Sequence, residues 1–265
     1  MQKFLNNLLN GDINKYVAQL PQLKESISKI VVGAEQPKER PSYAYPYDSY
    51  IDIALGNSLA KKALGNMAKR YCPSKEAIIK QASAINDKNF PRTWNNFQHC
   101  CNTLDVTNAP KTYVAHNIKG INALSVTFDN DTVILLSLQS TILDDAEQRF
   151  LIGHELGHVQ MGHIAAHSLQ GLLQDINMRN ELAGAFLCDT IVPMLNEWYR
   201  ASELTADRAG YLCSKDMEAI AKLLETIDPC LADDNFTQYV ELHCDHPTTA
   251  TRIAELKKFV AEKGL

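Results

Sequence analysis

Apolar and polar positions change period along the chain. In "YVAQLPQLKESISKIVV" (16–32) the apolar residues recur at helical spacing around Pro21, and helical patterns resume over 50–104, with Trp94, Phe97, Cys101 and Leu104 on one face. Three runs then read as strands: "KTYVAH" (111–116), "INALSVTFD" (121–129) and "DTVILLSL" (131–138). They are separated by the turn residues Asn117, Gly120, Asn130 and Asp131. After residue 143 the pattern is helical almost to the end. Helices, then a small sheet of about three strands, then helices predict a predominantly helical α+β fold. "EQPKERPSYAYPYDSY" (35–50), rich in Pro and Tyr, reads as a connecting segment. It divides a helical N-terminal segment, 1–45, from a main domain, 46–265, and the former could cover a site on the latter and hold it latent.

Composition narrows the setting. A 265-residue chain with 45% hydrophobic and 22% charged residues is ordinary for a globular protein. A net charge of -5 without a basic stripe argues against nucleic acid or an anionic membrane as partner. Seven cysteines, at 72, 100, 101, 188, 213, 230 and 244, contain no CxxC pair and predict reduced thiols. Cys188 and Cys213 fall on apolar helix faces, where the thiol behaves as a small hydrophobe. The N-terminus "MQKFLNNLLNGD" is too polar for a signal peptide. The most apolar later stretch, Leu182 to Leu195, is short and interrupted by Asp189 and Pro193. A cytoplasmic protein without a membrane span is the expectation.

The chemistry concentrates in "RFLIGHELGHVQMGH" (149–163). Asp144 and Glu147 form a capping-box pattern that starts a helix. On it, His154 and His158 stand at i and i+4, so both imidazoles can meet one metal ion. Glu155 lies about 100° round the helix, where it can reach an attacking water without ligating the metal. Gly157 leaves the face beside His158 unobstructed. The third ligand distinguishes classes. HExxHxxGxxH would require Gly at 161 and His at 164, and the chain has Met161 and Ile164, with Gly162 and His163 each one place off. His163 and His167 therefore read as ordinary polar residues. A Glu on a second helix is the other solution, with Glu181 and Glu203 as candidates. Glu203 is favoured because Asp207, at i+4, can accept a hydrogen bond from the distal nitrogen of a ligating histidine.

"IGHELGH" followed by "ELTADRAG" (203–210) resembles the HtpX and CAAX prenyl protease family of zinc metallopeptidases, peptidase family M48. "GINALSV" (120–126) and "DHPTTATRIAEL" (245–256) resemble two further elements of that family, and the likeness runs from about Ser74 to Phe259. The resemblance implies a gluzincin-like domain in which His154, His158 and Glu203 hold one Zn²⁺ with a fourth position open. Glu155 is then the general base, and Asp207 fixes a ligand tautomer. His246 and Arg252 are the candidates to stabilise the developing oxyanion. Pro247 suits the first turn of a final helix, which puts His246 at its cap. Arg252 could instead be an ion-pair partner of Asp207. Membrane members of the family carry spanning helices and this chain shows none, so it resembles a soluble branch. A protein or peptide substrate could add as a strand to "DTVILLSL", taken as the edge, with Asn122 and Ala123 on the neighbouring strand shaping the rim. The expected function is zinc-dependent endopeptidase. The alternatives are a regulatory peptidase type using Glu181, and a metal-stabilised binding or regulatory module with little turnover.

Overall fold

The computed structural model describes residues 40–48, 79–128, 131–164, 192–228 and 246–265. Expectations for residues 1–39 and 49–78, and for Glu181, His167 and Cys188, lie outside them. The described elements run as strand β1 (Ala82–Ala84), helix α1 (Pro91–Thr103), strands β2 (Lys111–Ala115), β3 (Ala123–Phe128) and β4 (Asp131–Ser137), then helices α2 (Asp145–Met161), α3 (Val192–Ser214), α4 (Met217–Ile227) and α5 (Thr249–Lys263). Short 3-10 turns occupy Pro46–Asp48 and Gln139–Ile142. The predominantly helical α+β outline is as the periodicity predicts.

Among the described residues the sheet has four strands, where about three are expected, in the order β1-β2-β4-β3. β1 is three residues long and holds its place by antiparallel pairing to β2 rather than by any local pattern. Sequence periodicity reads only alternation within a run, so it passes over a strand of this length. β2 pairs parallel to β4, and β3 pairs antiparallel to β4. The expectation that 131–138 forms the edge is therefore wrong: β4 is internal, and among the described residues β3 is the edge on that side. The reason is visible in the residues. Val133 and Leu135 are buried on one face of β4, Ile134 and Leu136 on the other, and a continuous apolar run of this kind suits a strand covered on both faces. β3, with Ser125 and Thr127 interleaved among apolar residues, has the alternation of an edge.

The core lies between the sheet and α2. Val114, Ile134 and Leu136 meet Phe150, Ile152 and Leu156, with Phe97, Cys100 and Leu104 closing one flank. Each large apolar side chain buried there contributes about 1.5–3 kcal/mol. Helix α2 begins as expected: Asp144 accepts from the Glu147 backbone N–H at 2.8 Å, and Glu147 accepts from the Asp144 N–H at 3.1 Å. It then runs through the middle of the molecule, buried on nearly every side. Its contact with α3 is backbone against backbone. A Cβ on Gly157 would stand 2.9 Å from the Ala209 Cβ and 3.1 Å from the Ala206 Cα, and one on Gly153 would stand 2.8 Å from the Cys213 Sγ. Gly157 thus permits the approach of α3, in place of the open helix face read from sequence. This closeness lets side chains from the two helices share one site.

Residues 40–48 pack into this body. Tyr43 is buried and its hydroxyl donates to the Gln160 Oε1 at 2.6 Å. The Tyr45 N–H donates to the Thr205 Oγ1 at 3.0 Å, and the Arg208 guanidinium sits 4.6 Å from the Tyr45 ring centroid. The described part of the Pro/Tyr-rich segment is a strap bound to α2 and α3. Of the cysteines, Cys100, Cys101 and Cys213 are free and buried. Among the described residues no helix is long and apolar enough to cross a membrane.

Candidate metal centre

Helices α2 and α3 cross where Gly157 meets Ala206 and Ala209, and the crossing brings His154, His158 and Glu203 together. The His154 and His158 Nε2 atoms are 3.1 Å apart. The two Glu203 oxygens lie 3.4 Å from the His154 Nε2 and 3.3 Å from the His158 Nε2. All three side chains are buried, and the trio could hold a metal ion.

The outward nitrogen of each histidine is also engaged. The His154 Nδ1 is 3.0 Å from the Asp207 Oδ1, the contact expected from the i+4 spacing of Glu203 and Asp207. Arg252, on α5, grips the same carboxylate with its Nε at 2.8 Å and a terminal nitrogen at 2.5 Å. The ion-pair alternative for Arg252 is thus the contact present, and it ties α5 to the site.

The His158 Nδ1 is 2.9 Å from the Nδ1 of His163, whose Nε2 lies 3.0 and 3.1 Å from the two Asp48 oxygens. His163 is therefore not the ordinary polar residue read from sequence. It is 2% exposed and wedged between a candidate ligand and a buried acid. The misreading came from continuing the helical wheel past its end. Helix α2 stops at Gly162, whose φ of 73° turns the chain back, and the His163 N–H bonds the His158 carbonyl at 3.0 Å. His163 is placed by this left-handed turn, not by a helical rotation. A glycine between the last helical turn and a histidine was the signal available. Asp48, 115 residues away in sequence, gave none.

Electrostatics distinguish the groups. Burial, the largest single influence, opposes charge on His154, but Asp207 and Glu203 together outweigh it and push its pKa up to about 10. Burial likewise works against charge on Glu203, yet the facing His158, His154 and His246 hold it well below the usual carboxylate range. Asp207 is held low against its burial chiefly by Arg252. His163 moves the other way: burial outweighs Asp48 and lowers it, so it is neutral near pH 7.

Glu155 does not join the trio. Its Oε2 accepts a 2.6 Å hydrogen bond from the hydroxyl of Ser125 on the edge strand β3, which sequence reading did not single out. The Asn122 N–H, beside it on the rim, is held by the hydroxyls of Ser137 and Ser140 at 3.2 and 3.1 Å. A cleft of about 490 Å³ opens between β3 and the helices, with Ile121, Leu124, Phe150, Leu224 and Ile227 among its apolar lining residues. His246 stands at its mouth, its Nδ1 3.7 Å from a Glu203 oxygen and its side chain 63% exposed. It is not the helix cap expected: Thr248 caps α5, accepting from the Thr251 N–H, and His246 lies two residues earlier. A hydroxyl makes that cap better than an imidazole held off by the intervening Pro247.

Comparison with known proteins agrees with this geometry. Residues 88–260 match the model of "Peptidase family M48". The chain is also similar to the plastoglobule-localized metallopeptidase 48, chloroplastic, of Arabidopsis thaliana, with 25% identity over 129 residues. That alignment covers 47% of this chain and 38% of the relative, so the chain matches well under half the relative's length. No solved structure matches. With two histidines and a glutamate converging between α2 and α3, and the family pattern spanning 88–260, the chain belongs to peptidase family M48, a family of metallopeptidases.

Proposed function

We propose that this chain is a zinc-dependent endopeptidase whose ion is held by His154, His158 and Glu203. The carrying observation is the spacing of the three donors. Ligand atoms placed tetrahedrally about 2.0–2.2 Å from a zinc ion are separated by about 3.3–3.6 Å. The three separations here are 3.1, 3.3 and 3.4 Å. Two nitrogens and a carboxylate oxygen are also the donor set of zinc peptidases that leave one position open. Bound there, zinc would polarise a scissile carbonyl and acidify a water molecule.

The chain's own residues supply the rest. Glu155 takes a proton from the attacking water and returns it to the departing amine. Ser125 keeps one carboxylate oxygen of Glu155 oriented, leaving the other free for the proton. His246, exposed at the cleft mouth, donates to the oxygen that gains charge. Arg252 acts from behind by holding Asp207, and so His154. A substrate peptide adds in extended form along β3, the available edge beside the cleft, and its apolar side chains enter the apolar part of the cavity. The three buried thiols are consistent with a reducing compartment such as the cytoplasm.

The test pairs metal content with turnover of a peptide library. The purified chain should carry one zinc and cleave internal bonds. Glu155→Gln should keep the zinc and lose hydrolysis by at least about 100-fold. A Glu155→Gln protein as active as the parent would overturn the mechanism, and a parent that takes up no zinc would overturn the site.

A further inference from the structure

We infer that Asp48 and His163 are positioning residues for the metal centre: the N-terminal strap, through His163, selects the nitrogen that His158 presents to the ion. The inference rests on the zinc site just proposed and adds to it a component from outside the family-matched residues, which begin at 88.

With the His158 Nε2 facing an ion, the hydrogen-bond chain has one consistent direction. The Asp48 carboxylate can only accept, so the His163 Nε2 carries a hydrogen and donates to it at 3.0 Å. A neutral His163 then has a lone pair on Nδ1, 2.9 Å from the Nδ1 of His158. That lone pair accepts the His158 Nδ1–H, and the lone pair of His158 is left on Nε2. The Nε2 faces Glu203 at 3.3 Å and the other imidazole at 3.1 Å, on the side where the ion would sit. With the His158 Nε2 turned to an ion its Nδ1 carries the hydrogen, and a His163 bearing hydrogens on both nitrogens would then set two hydrogens against each other in a buried site.

The strap is built to hold the acid there. Asp48 is 2% exposed and ends the 3-10 turn Pro46–Asp48. Its backbone carbonyl accepts from the indole N–H of Trp198 on α3 at 3.4 Å. The same indole ring meets the His163 ring edge-on, with centroids 5.7 Å apart. Tyr43 and Tyr45 fix the preceding residues to α2 and α3 through the contacts described above. A buried carboxylate is costly unless its oxygens are paired. Both Asp48 oxygens are spent on His163.

The experiment uses the full chain and zinc itself. Competition with a chelator should show zinc affinity falling about 10–100-fold in Asp48→Ala, and less in Asp48→Asn, whose amide oxygen can still accept from His163. Nitrogen-15 spectra of the parent's imidazoles should show His163 as the Nε2–H tautomer and zinc-bound His158 as the Nδ1–H tautomer. Asp48→Ala should lose the His163 preference, which a merely structural acid would not control. Unchanged zinc affinity in Asp48→Ala, or an Nδ1–H tautomer for His163 in the parent, overturns the inference while leaving the zinc site standing. A parent without zinc overturns both. Should Asp48→Ala fail to fold, the parent's tautomers and the Asp48→Asn affinity decide it.

Discussion

The two histidines of the centre are supported in opposite ways. His154 leans on a charged group, Asp207, itself locked by Arg252, and every member comes from the helical part that the family pattern covers. His158 leans on a neutral imidazole, and the acid behind it arrives from residue 48. Both supports do the same work, occupying Nδ1 and turning Nε2 inward. The first does so with a full negative charge against the ring and the second with that charge one ring further away. A carboxylate in direct contact makes its histidine a stronger donor, so the ion would be held more tightly from the His154 side. The contrast also separates stability from geometry: the first support contains a buried ion pair, the second a relay with one charge.

The largest effect that could break this comparison is removal of Asp207. Asp207→Ala leaves the Arg252 guanidinium, 16% exposed, without its partner. Loss of one member of a buried pair costs about 3–5 kcal/mol. Denaturant unfolding of the zinc-free protein should show a loss of that size. In Asp48→Ala the group left behind is a neutral imidazole, and the expected loss is about 1–3 kcal/mol. Equal losses would remove the distinction between a charged and a relayed support.

A pH series on the zinc-free protein sharpens it further. The His154 pKa stands raised from 6.5 to about 10. A raised folded value stabilises fully below the unfolded value and is lost as pH climbs through the folded one. The melting temperature of the zinc-free chain should therefore fall between pH 6.5 and about 10. His163, lowered from 6.5, acts in the opposite sense and mainly below that window. With zinc bound, the ion takes the place of the His154 proton and the decline should vanish. A flat zinc-free profile would mean that Asp207 and Glu203 do not hold a proton on His154.

These two supports also mark what the sequence could reveal. His154, Glu155 and His158, and Glu203 with Asp207, were legible because helical spacing is local and both sets sit inside long helices. The capping box of α2 was legible for the same reason. The His163 contact was not, because the helical rule stops at Gly162 and the contact depends on a left-handed turn beyond it. Asp48 was invisible, since the strap reaches α2 only through tertiary packing and its Pro and Tyr residues look like those of a linker. β1 and the internal place of β4 were lost likewise: strand order is set by pairing between distant segments, which alternation along one run does not encode. The apolar continuity of "VILLS" did carry a hint of a strand covered on both faces.

Gly162 gives the smallest and most selective test. At φ 73° a side chain is strained, yet nothing lies within 4 Å of where its Cβ would stand. Gly162→Ala should therefore cost about 1 kcal/mol through the backbone alone. Gly264 has φ 66° and equally open surroundings at the far end of α5, so Gly264→Ala should cost about the same in unfolding experiments. Their effects on zinc should differ. Gly162 turns His163 back onto His158, so relaxing that turn loosens one ligand, and chelator competition should show a several-fold loss of zinc affinity. Gly264→Ala should leave zinc affinity unchanged. If both glycines alter zinc binding alike, or neither does, the turn at Gly162 is an ordinary helix end and the relay does not depend on it. If only Gly162→Ala does so, the strain of one left-handed residue is what brings the His163–Asp48 support to His158.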